Sequence, residues 1–255
     1  MVPVLFRIGP LTVSSFWACA LLAFVAGWLL IRRDLGAALA TDAVLVAYVG
    51  GWVGARLFLV PGEWTAFASD PVAFLVASAG WAWYGGVIGG AAAVAWLARA
   101  RRIPFLVVGD AMAPALALGL AIGRLGCQLS GDGDYGVPTS LPWGMRYPDG
   151  LVPTSERVHP APLYELAGSL AILAYLESRR PRKRAAGDLL GRYLVLAGAL
   201  RLAVETVRRN PAWLAGLTTA QWLSFGAIAI GAGLVQAAGA SCVAPAPSAR
   251  STRPD

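Results

Sequence analysis

The chain has 255 residues, of which 57% are hydrophobic and only 14% are charged. Its mean hydropathy of +0.62 lies outside the range of soluble domains, so we predict an integral membrane protein. The formal net charge of +7 would suit a nucleic-acid partner. However, the cations are mostly arginines gathered in short clusters between apolar runs, and this pattern argues against nucleic acid.

Seven apolar runs are long enough to cross a bilayer, which takes about twenty residues. They occupy 12–31, 43–60, 72–98, 105–122, 162–178, 188–207 and 219–238. We therefore predict an all-α polytopic membrane protein with about seven transmembrane helices and a long extracytoplasmic loop between helices four and five. A six-span alternative would leave the fifth run, which begins between Pro160 and Pro162, at the membrane interface.

The third run and the C-terminal tail each depart from a simple span. The run 72–98 is too long for one crossing, so Pro71 to Trp81 is predicted to be an interfacial or re-entrant piece. Residues 1–238 are predicted to form one transmembrane domain. The remainder, 239–255, is rich in proline and serine and is predicted to be a disordered cytoplasmic tail.

Arginine clusters predict the orientation of the chain in the membrane. Alternate loops are basic, with Arg32 and Arg33, then Arg99, Arg101 and Arg102, then Arg179, Arg180, Arg182, Lys183 and Arg184, and finally Arg250 and Arg253. By the positive-inside rule these loops lie in the cytoplasm. The cations that then fall on the outer side call for a functional reason, and they are Arg124, Arg146, Arg157, Arg208 and Arg209.

The segment GRLGCQLSGDGDYG, from Gly123 to Gly136, begins where the fourth apolar run stops. Glycines let a backbone approach a ligand closely, and an arginine with carboxylates beside hydrocarbon is costly unless it faces protein, water or a charged ligand. The segment therefore indicates a ligand site at the membrane boundary. The alternative is a solvated loop whose glycines only form turns.

The sixth run carries Arg201, Glu205 and Arg208 at spacings of i, i+4 and i+7, which places them on one helical face. Two arginines on one face could clamp an anion. The alternative is that Arg201 and Glu205 neutralise each other while Arg208 extends to the interface. Arg56, in the second run, either extends to the interface in the same way or faces a polar cavity.

Other features suggest proton transfer and helix packing. His159 is the only histidine, and imidazole titrates near neutral pH. It could equally have a structural role at the start of the fifth helix, and Glu165, six residues later, need not touch it. Small residues at four-residue spacing predict close helix contacts, and these pairs are Gly50 with Gly54, Gly86 with Gly90, and Gly119 with Gly123.

Metal and disulfide chemistry find little support in the sequence. One histidine, the absence of a CxxC motif and the absence of carboxylates at ligand spacing predict no metal site. Three cysteines, Cys19, Cys127 and Cys242, are too few for a disulfide framework. Phosphate chemistry here would therefore rest on arginines, which bind phosphate through two hydrogen bonds.

The ordered motifs IGP, YGGVIGG, GRLGC with SGDGDYG, HPAPLYE and R…E..R..P, from Ile8 to Pro211, resemble those of the prolipoprotein diacylglyceryl transferase family. The resemblance implies an enzyme of the bacterial inner membrane with its site on the extracytoplasmic side. Its partners would be phosphatidylglycerol and a prolipoprotein signal peptide with a lipobox cysteine. It would join the diacylglyceryl group to the cysteine thiol as a thioether and release glycerol phosphate, without a cofactor.

The resemblance also implies residue roles. Arg124 and Arg201 would hold the lipid phosphate from opposite walls and stabilise the charge of the leaving group. Asp132, at the position of the family's glutamate, would orient headgroup hydroxyls or help to accept the thiol proton. Tyr84 and His159 complete the candidate catalytic set. The remaining candidate substrate-binding residues are Gly126, Cys127, Asp134, Gly136, Glu205 and Arg208.

Four positions depart from the family pattern. Tyr84 replaces a histidine, Cys127 an asparagine, Asp132 a glutamate and Phe16 a tyrosine. Since a phenol is a weak base at neutral pH, His159, an aspartate or the lipid phosphate would have to activate the thiol. The departures leave two alternatives open, a divergent paralogue with another acceptor and a transporter of anionic lipid or substrate. The sequence shows no internal repeat of the kind that transporters often carry.

Overall fold

A computed structural model describes residues 1–9, 11–76, 82–180 and 185–243 and shows a mostly helical protein. The helices in chain order are α1 (Ser15–Leu35), α2 (Ala37–Leu57), α3 (Trp64–Ser69), α4 (Pro71–Val76), α5 (Trp83–Ala100), α6 (Phe105–Ser130), α7 (Ala161–Arg179), α8 (Asp188–Glu205) and α9 (Thr219–Val243). Seven helices within the described ranges have at least 18 residues. Four of these, α1, α2, α6 and α9, are long and apolar enough to cross a membrane.

The predicted third run does not form a single helix. Its first part is the short helix α4, and α5 begins only at Trp83; residues 77–81, which include Trp81, lie outside the described residues. Side chains of α2 satisfy the last carbonyls of α4, because Arg56 donates to the Phe74 oxygen at 2.8 Å and the indole of Trp52 donates to the Leu75 oxygen at 3.0 Å. The last carbonyls of a helix have no donor within the helix, so hydrogen bonds from other side chains stabilise that end.

Several helices differ from the predicted runs at one end, since α6 continues from the predicted end at 122 to Ser130 and α2 begins at Ala37 rather than at 43. The fifth and sixth runs correspond to α7 and α8. Helix α9 continues to Val243, five residues past the predicted span end at 238. The rest of the predicted tail, with Arg250 and Arg253, and the basic loop residues 181–184 lie outside the described residues.

Helices α2 and α5 pack through glycines with their backbones almost in contact. A Cβ atom on Gly89 would lie 2.2 Å from the Gly50 oxygen, and one on Gly54 would lie 2.4 Å from the Gly85 oxygen. The close-packing prediction therefore holds for Gly50 and Gly54. The α5 residues in tightest contact with them are Gly85, Gly89 and Ala93, whereas Gly86 and Gly90 lie farther from α2.

The third glycine pair was predicted wrongly. No described atom lies within 4 Å of a Cβ atom placed on Gly119 or Gly123 of α6. The spacing alone does not decide which face of a helix meets a neighbour. In α6 the packed face carries Ala113 and Ala117 instead, which contact Ile172, Leu176 and Leu189 of α7 and α8.

The two ends of the helix bundle differ in composition. One end carries two antiparallel hairpins, β1 (Val4–Ile8) with β2 (Leu11–Ser14) and β3 (Met145–Tyr147) with β4 (Thr154–Val158). Backbone hydrogen bonds join this end together, for example from Val137 to the Val207 oxygen at 2.8 Å. The opposite end holds ion pairs such as Arg180 with Asp34 at 2.6 Å. Of the arginine clusters, the described members Arg33, Arg101 and Arg180 thus lie at the end opposite the glycine-rich segment, as the predicted orientation requires.

Candidate functional site

The glycine-rich segment is helical up to Ser130, as the last part of α6, and only residues 131–136 fold back onto the end of that helix. The helix stops after Ser130 because Gly131 takes a left-handed conformation (φ +60°) and donates its N–H to the Cys127 oxygen at 2.9 Å. Gly133 also has a positive φ of +94°, which favours glycine. These two turns bring Asp134 back to Arg124, with which its carboxylate forms an ion pair.

Helix α8 supplies two further arginines. Arg201 and Glu205 lie one turn apart and form an ion pair at 2.7 Å. The helix ends at Glu205, so the prediction that Arg208 continues the same helical face is wrong. Arg208 instead lies in the turn after the helix, where its backbone N–H donates to the backbone carbonyl oxygen of Glu205 at 3.2 Å. The turn directs Arg208 inward, where it is mostly buried and does not extend to the interface.

Glu165 of α7 lies between all three arginines. Its Oε1 is 2.7 Å from Nη1 of Arg201, and its Oε2 is 2.6 Å from Nε of Arg124 and 3.5 Å from Nη1 of Arg208. The side chain is only 3% exposed. One buried carboxylate therefore holds together guanidinium groups from α6, α8 and the turn after α8.

Asp134 binds two of the same arginines from the opposite side. Its Oδ1 is 2.6 Å from Nη2 of Arg208, and its Oδ2 pairs with Nη1 of Arg124. Burial alone would raise the pKa of the Asp134 carboxyl, but the charges of Arg124 and Arg208 outweigh it and hold that pKa below its usual value. Asp134 is therefore ionised at neutral pH.

Glu205 fastens Arg201 to the start of α9. Its Oε1 accepts hydrogen bonds from Asn210 at 2.9 Å and from the Thr218 hydroxyl at 2.6 Å. Thr218 precedes α9 and exchanges hydrogen bonds with Gln221, from Thr218 N to Gln221 Oε1 at 2.9 Å and from Gln221 N to Thr218 Oγ1 at 3.2 Å. This reciprocal arrangement is a capping box, so the residue that caps α9 also supports the arginine site.

We call this set the three-arginine cluster; its members are Arg124, Arg201, Arg208, Asp134, Glu165 and Glu205. The fold thus brings together five of the predicted site residues. Glu165 is the member that the sequence-based site prediction omitted. A carboxylate inside an apolar run signals function by default, and its place in the HPAPLYE motif could have identified it.

Cys127 and Asp132 lie beside the cluster. Nη1 of Arg124 is 3.8 Å from the buried Cys127 sulfur, and the ligand atoms of Cys127, Asp132 and Asp134 all lie within 4.8 Å of one another. Asp132 accepts the Asp134 N–H at 3.3 Å, a local turn contact. Of these three groups, Asp134 is the one that two arginines already neutralise.

The two predicted substrate-binding glycines have packing roles in this structure. A Cβ atom on Gly126 would lie 3.1 Å from Cβ of Cys19 and close to Phe16, so Gly126 faces α1. Gly136 lies where the loop crosses residue 207, and a Cβ atom there would be 2.3 Å from the Val207 oxygen. Gly136 also accepts a hydrogen bond from Nε of Arg209 at 2.9 Å. Both glycines therefore position the loop and helix that carry the cluster.

The predicted proton-transfer residues occupy different places. Nδ1 of His159 is 3.1 Å from the hydroxyl of Tyr164, which also accepts from the indole of Trp143 at 2.8 Å. Tyr164 precedes Glu165 in α7, so the histidine contacts the residue next to the hub of the cluster. Tyr84 is half-buried at the start of α5.

Arg56 is buried rather than extended to the interface. It is 3% exposed, and its guanidinium carbon lies 4.3 Å from the centre of the Phe74 ring. Together with its hydrogen bonds to the Phe74 oxygen, this contact holds α4 against α2. The structure therefore contradicts the extension of Arg56 to the interface.

Comparison with known proteins identifies the family of this chain. The family model described as prolipoprotein diacylglyceryl transferase matches residues 3–237. A phosphatidylglycerol–prolipoprotein diacylglyceryl transferase of Bordetella bronchiseptica is 34% identical, covering 91% of this chain and 93% of its own. Relatives with the same name from Synechococcus elongatus (34% identical; 90% and 84% covered) and a Nostoc species (32%; 90% and 86%) are also similar. The chain therefore belongs to the prolipoprotein diacylglyceryl transferase family.

Proposed function

We propose that the three-arginine cluster is the site at which this protein transfers a diacylglyceryl group from phosphatidylglycerol to the lipobox cysteine of a prolipoprotein. The names of its relatives state this activity. The observation that carries the assignment is the convergence of Arg124, Arg201 and Arg208 on one buried carboxylate. Partly buried arginines that converge in this way suit a phosphate-bearing substrate.

The reaction is a displacement at a glycerol carbon. The cysteine sulfur forms a bond to that carbon while the bond between the carbon and the phosphate oxygen breaks, and the electron pair leaves with glycerol phosphate. Negative charge grows on the phosphate as the bond breaks. Arg124 and Arg201, from α6 and α8, would stabilise that charge because their guanidinium groups are already held in place by Glu165.

The proton of the thiol needs an acceptor. His159 hydrogen-bonds Tyr164, which precedes Glu165 in the chain, and Asp132 lies in the loop with Asp134 and near Cys127. We assign proton acceptance to one of these two residues. Tyr84 stands where the family has a histidine. It is the least suited of the three candidates to accept a proton, because a phenol is a weak base, and it would serve to position substrate.

The orientation in the membrane follows from the two ends of the bundle. We propose that all seven long helices cross the bacterial inner membrane and that the three-arginine cluster faces the extracytoplasmic side. The support is that Arg33, Arg101 and Arg180 gather at the end opposite the cluster. A reporter fused after Arg184 is then expected to be cytoplasmic and one near Asp149 external; the reverse pattern would contradict the orientation.

The central experiment measures transfer by the purified protein from phosphatidylglycerol to a lipobox peptide, followed as the added mass of a diacylglyceryl group on the peptide cysteine. Arg124→Ala and Arg201→Ala are expected to abolish that mass shift. Arg101→Ala is the matched control, since Arg101 pairs with Asp42 at the opposite end. Full activity of either cluster variant would refute the role of the arginines.

The departures at Tyr84 and Cys127 support one second candidate, a transferase of the same family that uses another thiol or amine acceptor. The same assay separates the two. Folded protein that leaves the lipobox peptide unmodified but releases glycerol phosphate when a different thiol or amine is supplied would favour the second candidate.

A further inference from the structure

Arg124 and Arg208 share two carboxylates, which differ in burial and in the kind of backbone that carries them. Glu165 is 3% exposed and belongs to helix α7, whereas Asp134 is 33% exposed and belongs to a loop. The loop reaches Asp134 through Gly131 and Gly133, which both have a positive φ. Of the two carboxylates, Asp134 is therefore the one that can move away without disturbing a helix.

The three positive and three negative charges of the three-arginine cluster balance. Three guanidinium groups face the carboxylates of Asp134, Glu165 and Glu205. Adding the anionic phosphate of a lipid to this balanced set would leave one negative charge without a partner in a largely buried place. An uncompensated buried charge is strongly unfavourable, so phosphate binding requires one carboxylate to give up its arginines.

Asp134 also matches a phosphate in the way it binds. Its two oxygens each hold a different arginine, Oδ1 with Arg208 and Oδ2 with Arg124. Two non-bridging oxygens of a phosphate group can bind two guanidinium groups in the same manner. When Asp134 turns toward solvent, the cluster keeps Glu165 and Glu205 and carries one net positive charge for the phosphate.

We propose that Asp134 is an exchangeable counter-ion, which keeps Arg124 and Arg208 oriented and then yields both to the phosphate of the substrate. It is a positioning residue that competes with phosphate, and its return would help to expel glycerol phosphate after the reaction. The inference rests on the proposed function of the three-arginine cluster. It predicts that a neutral residue at this position makes phosphate binding tighter.

The test is inhibition of transfer by sn-glycerol 1-phosphate, measured with the full chain, phosphatidylglycerol vesicles and a lipobox peptide. The inhibition constant of Asp134→Asn is expected to fall by at least about tenfold, since one negative charge beside the phosphate is removed. Asp149→Asn is the control, because Asp149 is an exposed acid of the loop region that follows and its change alters net charge equally. Its inhibition constant is expected to match that of the wild type.

Binding is measured separately so that a slow variant still gives an answer. Glycerol phosphate is expected to raise the melting temperature of Asp134→Asn, or of Asp134→Ser if the asparagine variant does not fold, more than that of the wild type. The inference would be overturned if glycerol phosphate inhibited Asp134→Asn no more strongly than the wild type and raised its melting temperature no further. Wild-type protein that fails to modify the peptide would instead overturn the proposed function.

Discussion

Replacing Glu165 with glutamine removes one charge from the centre of the three-arginine cluster. The wild-type carboxylate contacts Arg124, Arg201 and Arg208 and is 3% exposed. An amide of the same size leaves three guanidinium groups facing two carboxylates. Breaking a buried ion pair in this way costs about 3–5 kcal/mol, and we expect the lower end, about 3 kcal/mol, because the amide oxygen still accepts one hydrogen bond.

The corresponding fall in melting temperature is about 6–12 °C, at about 2–4 °C for each kcal/mol in a chain of this size. Thermal unfolding in detergent, followed by tryptophan fluorescence, measures it. Glu177→Gln is the matched control, since Glu177 lies in the same helix, is 32% exposed and pairs with Arg33 and Arg180. Solvent-accessible pairs contribute about 0–1 kcal/mol, and Arg180 keeps Asp34 as a partner at 2.6 Å, so this variant is expected to melt closer to the wild type than Glu165→Gln.

Activity gives a second measure of the same substitution. Glu165→Gln is expected to lose transfer to the lipobox peptide because Arg124 and Arg201 lose their shared partner. If Glu165→Gln melted no earlier than Glu177→Gln and transferred normally, the view of Glu165 as the hub of the site would be refuted.

Three further substitutions test the packing, the support of the site and its charge. Gly89→Val is expected to prevent folding, because its Cβ atom would lie 2.2 Å from a carbonyl oxygen of α2. Gly233→Ala is the control, since its Cβ atom would meet no described atom within 4 Å. Expression and size-exclusion chromatography compare the two, and only the control is expected to fold normally. Thr218→Val is expected to lower kcat more than it raises KM, because Glu205 loses a hydrogen bond of 2.6 Å, and Thr218→Ser is expected to restore it; equal activity of both variants would contradict this. Because the pKa of Asp134 is lowered from 3.8, its ionised form stabilises the fold above about pH 4. The difference in melting temperature between wild type and Asp134→Asn is therefore expected to shrink as the pH falls below that value, and a constant difference would argue against the ion pairs.

The sequence predicted well those features that depend on neighbouring residues. Apolar runs of span length correspond to the long helices because hydropathy and helix length are local properties. The i, i+4 spacing of Arg201 and Glu205 gave an ion pair between them as one of two alternatives, and that ion pair is observed at 2.7 Å. Motif order along the chain indicated the family that the comparisons then showed.

Features that depend on the choice of neighbour could not be predicted in this way. Glycines four residues apart lie on one face of a helix, but their spacing does not show which helix packs against that face. Gly50 and Gly54 contact α5, whereas a Cβ atom on Gly119 or Gly123 would meet no described atom within 4 Å. The length of the third run predicted a separate piece before α5, but not that Arg56 of another helix would bind the Phe74 oxygen of that piece.

The sequence by itself determined the membrane-protein class, the approximate helices, the family and the arginines that bind phosphate in the proposed mechanism. Only the tertiary structure decided that Glu165 joins those arginines and that Asp134, rather than Asp132, pairs with two of them. The physical reason is that these contacts link α6, α7, the turn after α8 and a glycine-rich loop. Ion pairs between segments far apart in the chain form only when packing brings those segments together.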